Sequence, residues 1–144
     1  MNAEDRALGS CYCGSVKFVI ALPAKGCVHC HCLNCRRAHG AALLTWVAVT
    51  IENFKVSGRE HLKWFQSNVH SRRGFCTNCG TQMLYMSTNF PGDVHVTRAS
   101  LLGNVDVPAR AHLHFDQHVD WFPFEDKLPR LEGAEAAAPR EELG

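Results

Sequence analysis

Seven of the eight cysteines in this chain fall into three short clusters: Cys11-Tyr12-Cys13, Cys30-His31-Cys32 followed by Cys35, and Cys76-Thr77-Asn78-Cys79-Gly80. Zinc takes four soft donors at tetrahedral corners, and two cysteines so close in sequence present their thiolates to one ion. No other feature restricts the fold as much. An ion shared by Cys11, Cys13, Cys76 and Cys79 ties the start of the chain to its middle. Its binding energy, on the order of 10 kcal/mol for structural zinc at neutral pH, then becomes folding energy. Residues i and i+2 of a strand share a face, so Cys11 and Cys13 are expected to reach one ion from an extended segment. The C-x2-C-G turn at Cys76–Gly80 completes the set, with Gly80 supplying the positive φ that such a turn needs.

Seven sulfurs do not make two sets of four. Cys30, Cys32 and Cys35 form a tripod with one corner unassigned. Two readings of that corner stay open. Cys27, His29, His31 or His39 closes it and makes a second inert site, or it is left for water or an incoming thiol. Three protein ligands plus an open position is the construction of catalytic zinc, and a thiol on zinc loses its proton outright.

Disulfides are the competing use of eight cysteines. Met1–Ser10 carries Glu4, Asp5 and Arg6 and no apolar leader segment, so a reducing, cytoplasmic location is expected, and there thiols stay free. No run of the sequence approaches the roughly 18 apolar residues of a spanning helix, so no membrane role is expected. A net charge of +1 argues against nucleic acid as a partner.

The 144 residues read as one domain over 1–132 with a loose Ala/Glu/Pro tail at 133–144. Val16, Phe18, Ile20 and Leu22 alternate as a strand. Ala41–Ile51 is apolar and rich in Val, Thr and Trp, which favours a buried strand. Cys32–Gly40 reads as a metal knuckle leading into one helical turn. Short strands are expected around Leu62 and Trp64, over Val69–Phe75, Thr81–Ser87 and Val94–Thr97, and through His112–Phe115. The expected class is mainly β: a zinc-stabilised antiparallel fold of short strands and zinc knuckles.

Arg36 and Arg37 follow the tripod, and Arg72 and Arg73 precede the second knuckle. They offset thiolate charge, and guanidinium groups clamp carboxylates bidentately. His112 and His114 are expected at half-exposed strand positions, Trp46, Trp64 and Trp121 in the core, and Asn34 and Asn78 in knuckle turns without chemical roles.

Gly9-Ser10-Cys11-Tyr12-Cys13-Gly14-Ser15-Val16, Cys30-His31-Cys32 with Cys35-Arg36, and Arg73-Gly74-Phe75-Cys76 through Gly80-Thr81 resemble the glutathione-dependent formaldehyde-activating enzyme family, which includes the centromere-protein-V-like domains. His112-Leu113-His114, Trp121-Phe122 and Asp126-Lys127-Leu128-Pro129 resemble its closing segment, so the likeness spans about 8–131. The resemblance implies a mainly-β fold with two zinc ions. Cys11, Cys13, Cys76 and Cys79 match the structural ligands, and Cys30, Cys32 and Cys35 the catalytic ones. It also implies glutathione as co-substrate and formaldehyde as the aldehyde, joined as S-hydroxymethylglutathione by a carbon–sulfur lyase running in the synthetic direction. Cys27 is foreign to the pattern. Arg36, Arg37 and Arg73 are the candidates for steering the thiol's carboxylates. The competing functions are a non-catalytic two-zinc scaffold module and a thiol redox sensor.

Overall fold

The computed structural model describes residues 5–133, and the expected tail beyond Gly133 lies outside the described residues. Ten strands and one α-helix follow in the order β1 (Arg6–Ser10), β2 (Lys17–Ala21), β3 (Gly26–Cys30), α1 (Leu33–His39), β4 (Leu44–Thr50), β5 (Phe54–Ser57), β6 (Leu62–Gln66), β7 (Ser71–Cys76), β8 (Gln82–Ser87), β9 (Asp93–Thr97) and β10 (His112–Leu113). The mainly-β expectation is met. One sheet has the order β1-β2-β5 and the other β10-β3-β4-β9-β8-β7-β6. All pairings are antiparallel except β10 with β3, where His112 lies beside His29 and Leu113 beside Cys30.

Alternation along the strands sorts side chains to two faces of the larger sheet. Cys27, Val47, Val49, Val94 and Val96 point toward the smaller sheet and pack with Ala7, Phe18 and Ile20. Val28, Cys30, Leu44 and Trp46 point the other way and pack with Cys35, Ala111 and Leu113. The first layer is the apolar core proper, and the second holds the tripod.

The helix makes about two turns instead of the single one expected. Cys32 is its N-cap, with Sγ accepting the Cys35 N–H at 3.3 Å, and Gly40 ends it at φ 63°. A sulfur cap does for this helix what a Ser or Asp oxygen usually does. β5 occupies a stretch where Glu52-Asn53-Phe54 reads as a break. Its four residues offer only Phe54 and Val56 as an apolar face, and pairing of Val56 with Phe18 of β2 makes it a strand.

Candidate metal centres and the adjoining cavity

Cys11, Cys13, Cys76 and Cys79 converge, with all four sulfurs within 4.8 Å of one another. Cys11 and Cys13 reach this point from a turn following β1, not from a pleated strand. Their convergence is therefore a property of the turn, in which the Val16 N–H donates to Cys11 Sγ at 3.3 Å. Gly80 sits at φ 79°, as the turn requires, and donates its N–H to the Cys76 carbonyl at 2.7 Å. The Sγ separations are 3.7 Å for Cys11–Cys13 and 3.8 Å for Cys13–Cys76. A tetrahedron with zinc–sulfur bonds of about 2.3 Å has an edge of about 3.8 Å, so the donor set fits that ion.

Hydrogen bonds grade the acidity of these thiols. Thr81 brings Cys79 down to about 5, and Ser15, then Asn78, bring Cys13 down to about 7. Burial pushes Cys76 up to about 11. Asn78, expected only to tolerate a turn, donates Nδ2–H to Cys13 Sγ at 3.2 Å and so favours its thiolate form.

Cys30 ends β3, Cys32 caps α1 and Cys35 lies in its first turn. Their sulfurs also lie within 4.8 Å of one another, and Cys30 and Cys35 stand 3.6 Å apart. Among the described residues, no fourth His, Cys, Asp or Glu atom joins this group. Strand parity explains why Cys27 does not: it is an odd number of residues from Cys30 on β3 and faces the opposite core layer. His29 meets Thr45 through Nδ1 at 2.8 Å, and His39 packs edge-on against Trp46. His31 packs instead against His112, Phe115 and Phe124.

Three thiols this close cannot ionise independently. Hydrogen bonds from Cys30, then Cys32, hold Cys35 far below the ordinary thiol value, and the charge of Arg73 adds to this. Cys30, the donor to both neighbours and buried, is pushed well above it. One thiolate therefore forms readily while its neighbours keep their protons until a cation replaces them.

The tripod opens on a cavity of about 450 Å³. Trp46 and Tyr85 form an aromatic wall, and Asn34, Asn68, Asn89 and Gln117 supply amide groups. Arg73 contributes the only Arg or Lys among the described lining residues. β7 serves both centres from opposite faces, sending Cys76 to the four-sulfur group and Arg73 to Cys35, with Nη2–H donating to the sulfur at 3.5 Å. Arg36 lies outside the lining and donates Nε–H to the His31 carbonyl at 3.2 Å, while Arg37 is exposed on α1.

Two expectations about aromatic and imidazole groups need correcting. His112 is 1% exposed, because β10 slots beside β3 at the sheet's edge and is covered by the segment that follows. His114 does not share its strand face. The chain leaves β10 there at φ 54°, and His114 lines the cavity. Trp121 is 69% exposed and is not a core residue.

His112 also anchors a relay of two buried imidazoles and an exposed carboxylate that its sequence spacing does not reveal. Asp126 accepts from His112 Nε2, with its two oxygens at 3.0 and 2.9 Å, and a carboxylate can only accept. His112 Nδ1 and His31 Nε2 share a second hydrogen bond, 2.7 Å long. His31 is fully buried, and its pKa is lowered to about 4, chiefly by that burial. The histidine between two tripod cysteines is thus neutral at physiological pH and held in place by its bond to His112.

Residues 6–117 match the family described as "Glutathione-dependent formaldehyde-activating enzyme". The chain belongs to that family. The match covers most of the described residues and both cysteine centres. A Halomonas elongata protein that bears the name of the formaldehyde-activating family is 26% identical over 127 residues, covering 83% of this chain and 81% of that one. An uncharacterised lyase of Schizosaccharomyces pombe is 26% identical over 121 residues, covering 83% of this chain and 85% of that one. A crystal structure of a Rhodobacter sphaeroides protein aligns with a TM-score of 0.59 at 25% identity, covering 69% of this chain and 91% of its own. The formaldehyde-activating family and the lyase relative support an enzymatic, lyase-type function. Among the described residues, no helix is long and apolar enough to cross a membrane.

Proposed function

We propose that this protein is a zinc-dependent carbon–sulfur lyase that makes and breaks adducts between glutathione, or a similar small thiol, and formaldehyde or another small aldehyde. One observation carries this reading: a three-sulfur group with no fourth protein donor among the described residues opens on a cavity of small-molecule size. Cys11, Cys13, Cys76 and Cys79 would hold a closed structural zinc, and Cys30, Cys32 and Cys35 would hold the second ion. Zinc at the tripod would supply a thiolate at neutral pH by lowering the thiol pKa.

The chain's own residues do the rest. Trp46 and Tyr85 exclude water from one side of the cavity. The amides of Asn34, Asn68, Asn89 and Gln117 are placed to hydrogen-bond the peptide-like groups of the thiol. The half-buried Arg36 and the exposed Arg37 of α1 attract an anionic thiol through long-range charge. The Asp126–His112–His31 relay holds the Cys30–Cys32 connection rigid, so the tripod keeps its geometry when substrate enters. Thiols and formaldehyde already combine in water, so the acceleration comes from positioning and from control of ionisation. The thiols require a reducing compartment, which favours the cytoplasm.

The test counts metal in the purified protein and follows zinc–sulfur spectroscopy as glutathione is added. Formaldehyde exchange into S-hydroxymethylglutathione is measured in parallel by NMR. Two zinc ions per chain are expected, with one alone changing coordination and exchange accelerated. Two ions indifferent to thiol, with exchange at the uncatalysed rate, would instead make the protein a scaffold. Zinc release on mild oxidation without turnover would make it a redox sensor.

A further inference from the structure

We propose that Arg73 is a catalytic residue whose guanidinium donates to the aldehyde oxygen as that oxygen gains negative charge, serving the reacting end of the substrate and not its carboxylates. The inference rests on the lyase reading above and assigns within it the group that activates the aldehyde.

Arg73 is 5% exposed, which is unusual for a residue that almost never leaves water unpaired. Among the described residues no carboxylate makes a salt bridge with it. Its contacts are Cys35 Sγ at 3.5 Å from Nη2 and the face of Tyr85, 5.0 Å from the ring centroid. Nη1 is closed off from water and has no hydrogen-bond partner. A buried cation with an idle donor, set in a cavity wall, has the form of a site prepared for an acceptor that arrives with the substrate.

Its position says which acceptor. The guanidinium touches a tripod sulfur, so it stands where the thiol's own sulfur is gathered. The aldehyde oxygen sits on the carbon that bonds to that sulfur. The carboxylates of a peptide thiol lie several bonds from that sulfur, beyond its cysteinyl backbone. With Nη2 already donating to Cys35, Nη1 is the donor group left without a protein partner, which suits a single oxygen acceptor.

The step balances without an oxidant or reductant. The thiolate sulfur donates its electron pair to the carbonyl carbon, the S–C bond forms, and the C=O π pair moves onto oxygen. Arg73 holds that oxyanion by hydrogen bonding while keeping its own proton. The proton that the thiol gave up returns to the oxygen through water, completing the hydroxyl. In reverse, the same hydrogen bond releases the oxygen as the carbonyl re-forms.

R73Q and R73K test this, with glutathione and formaldehyde as probes and three readouts: zinc per chain, glutathione affinity by calorimetry, and exchange rate by NMR. The expected result for R73Q is unchanged zinc, glutathione affinity within about twofold, and exchange slowed about a hundredfold, the usual consequence of removing one oxyanion donor. R73K, which keeps the charge and stem if R73Q fails to fold, should bind zinc and glutathione normally and lose at least about tenfold in exchange. Either variant keeping the wild-type rate overturns the proposal. So does a loss of glutathione affinity that accounts for the whole rate loss, which makes Arg73 a carboxylate clamp, or a lost zinc ion, which makes it a charge partner of the metal. Wild-type protein that fails to accelerate exchange overturns the lyase reading and this inference together, whereas accelerated exchange with an indifferent Arg73 overturns this inference alone.

Discussion

Cys27→Ala separates the two uses this chain makes of cysteine. Cys27 is 1% exposed and packs in the apolar layer between the sheets, beside Val47 in register, on the face opposite Cys30. Its backbone carbonyl accepts from Arg110 at 2.8 Å, a bond the substitution leaves in place. Alanine removes one sulfur from a close-packed layer. The lost transfer free energy resembles that of a methylene, about 0.8 kcal/mol. The void, at about 24 cal/mol per Å³ over a sulfur's volume of roughly 25–30 Å³, adds about 0.7 kcal/mol. The expected destabilisation is about 1.5 kcal/mol, or about 5 °C in Tm for a chain of this size. Calorimetry of the zinc-loaded protein measures this, and metal analysis of the same sample should still return two ions with unchanged exchange. A missing zinc equivalent, or a Tm unchanged within about 1 °C, would refute the parity argument that keeps Cys27 in the core and away from the tripod.

Cys32→Ala should lose one zinc and essentially all exchange activity while keeping the wild-type circular dichroism spectrum, whereas Cys79→Ala should lose the spectrum itself, since that site ties β1 to the β7–β8 turn; variants that behave alike would erase the division between the centres. His112→Ala removes a buried imidazole and leaves the buried His31 Nε2 without its partner, and should cost about 3 kcal/mol in urea unfolding; a loss below about 1 kcal/mol would show that the relay is not held together. His39 is lowered to about 4, mainly by burial against Trp46. The unfolded chain then binds the extra proton first, so stability is full above about 6.5 and is lost as pH falls from there toward about 4. His39→Gln should flatten that slope in unfolding curves recorded with excess zinc, and an unchanged slope would remove His39 from the account.

The cysteine clusters were legible because their ligand spacing is local. C-x2-C-G implies a knuckle whatever surrounds it, and the convergence of Cys11 and Cys13 on Cys76 and Cys79 follows from counting donors. The strong strands were legible for a similar reason, since β2 and β4 carry their alternation or apolar run within a few residues. β5 was not, because two apolar side chains become a strand only when β2 is there to pair with. The burial of His112 was equally hidden, since it depends on β10 lying parallel to β3 and on Asp126 returning from a loop.

Which sulfurs converge was therefore written in the order of the residues, because turns of two or three residues leave the chain few alternatives. What stands at the open side of the second centre was decided only by tertiary packing. Sequence places Arg36 and Arg37 next to the tripod and Arg73 far from it, but the helix turns the first two outward and the sheet carries the third into contact with Cys35. Nearness along the chain is a matter of bonds, whereas nearness in the cavity depends on which face of β7 a side chain leaves from.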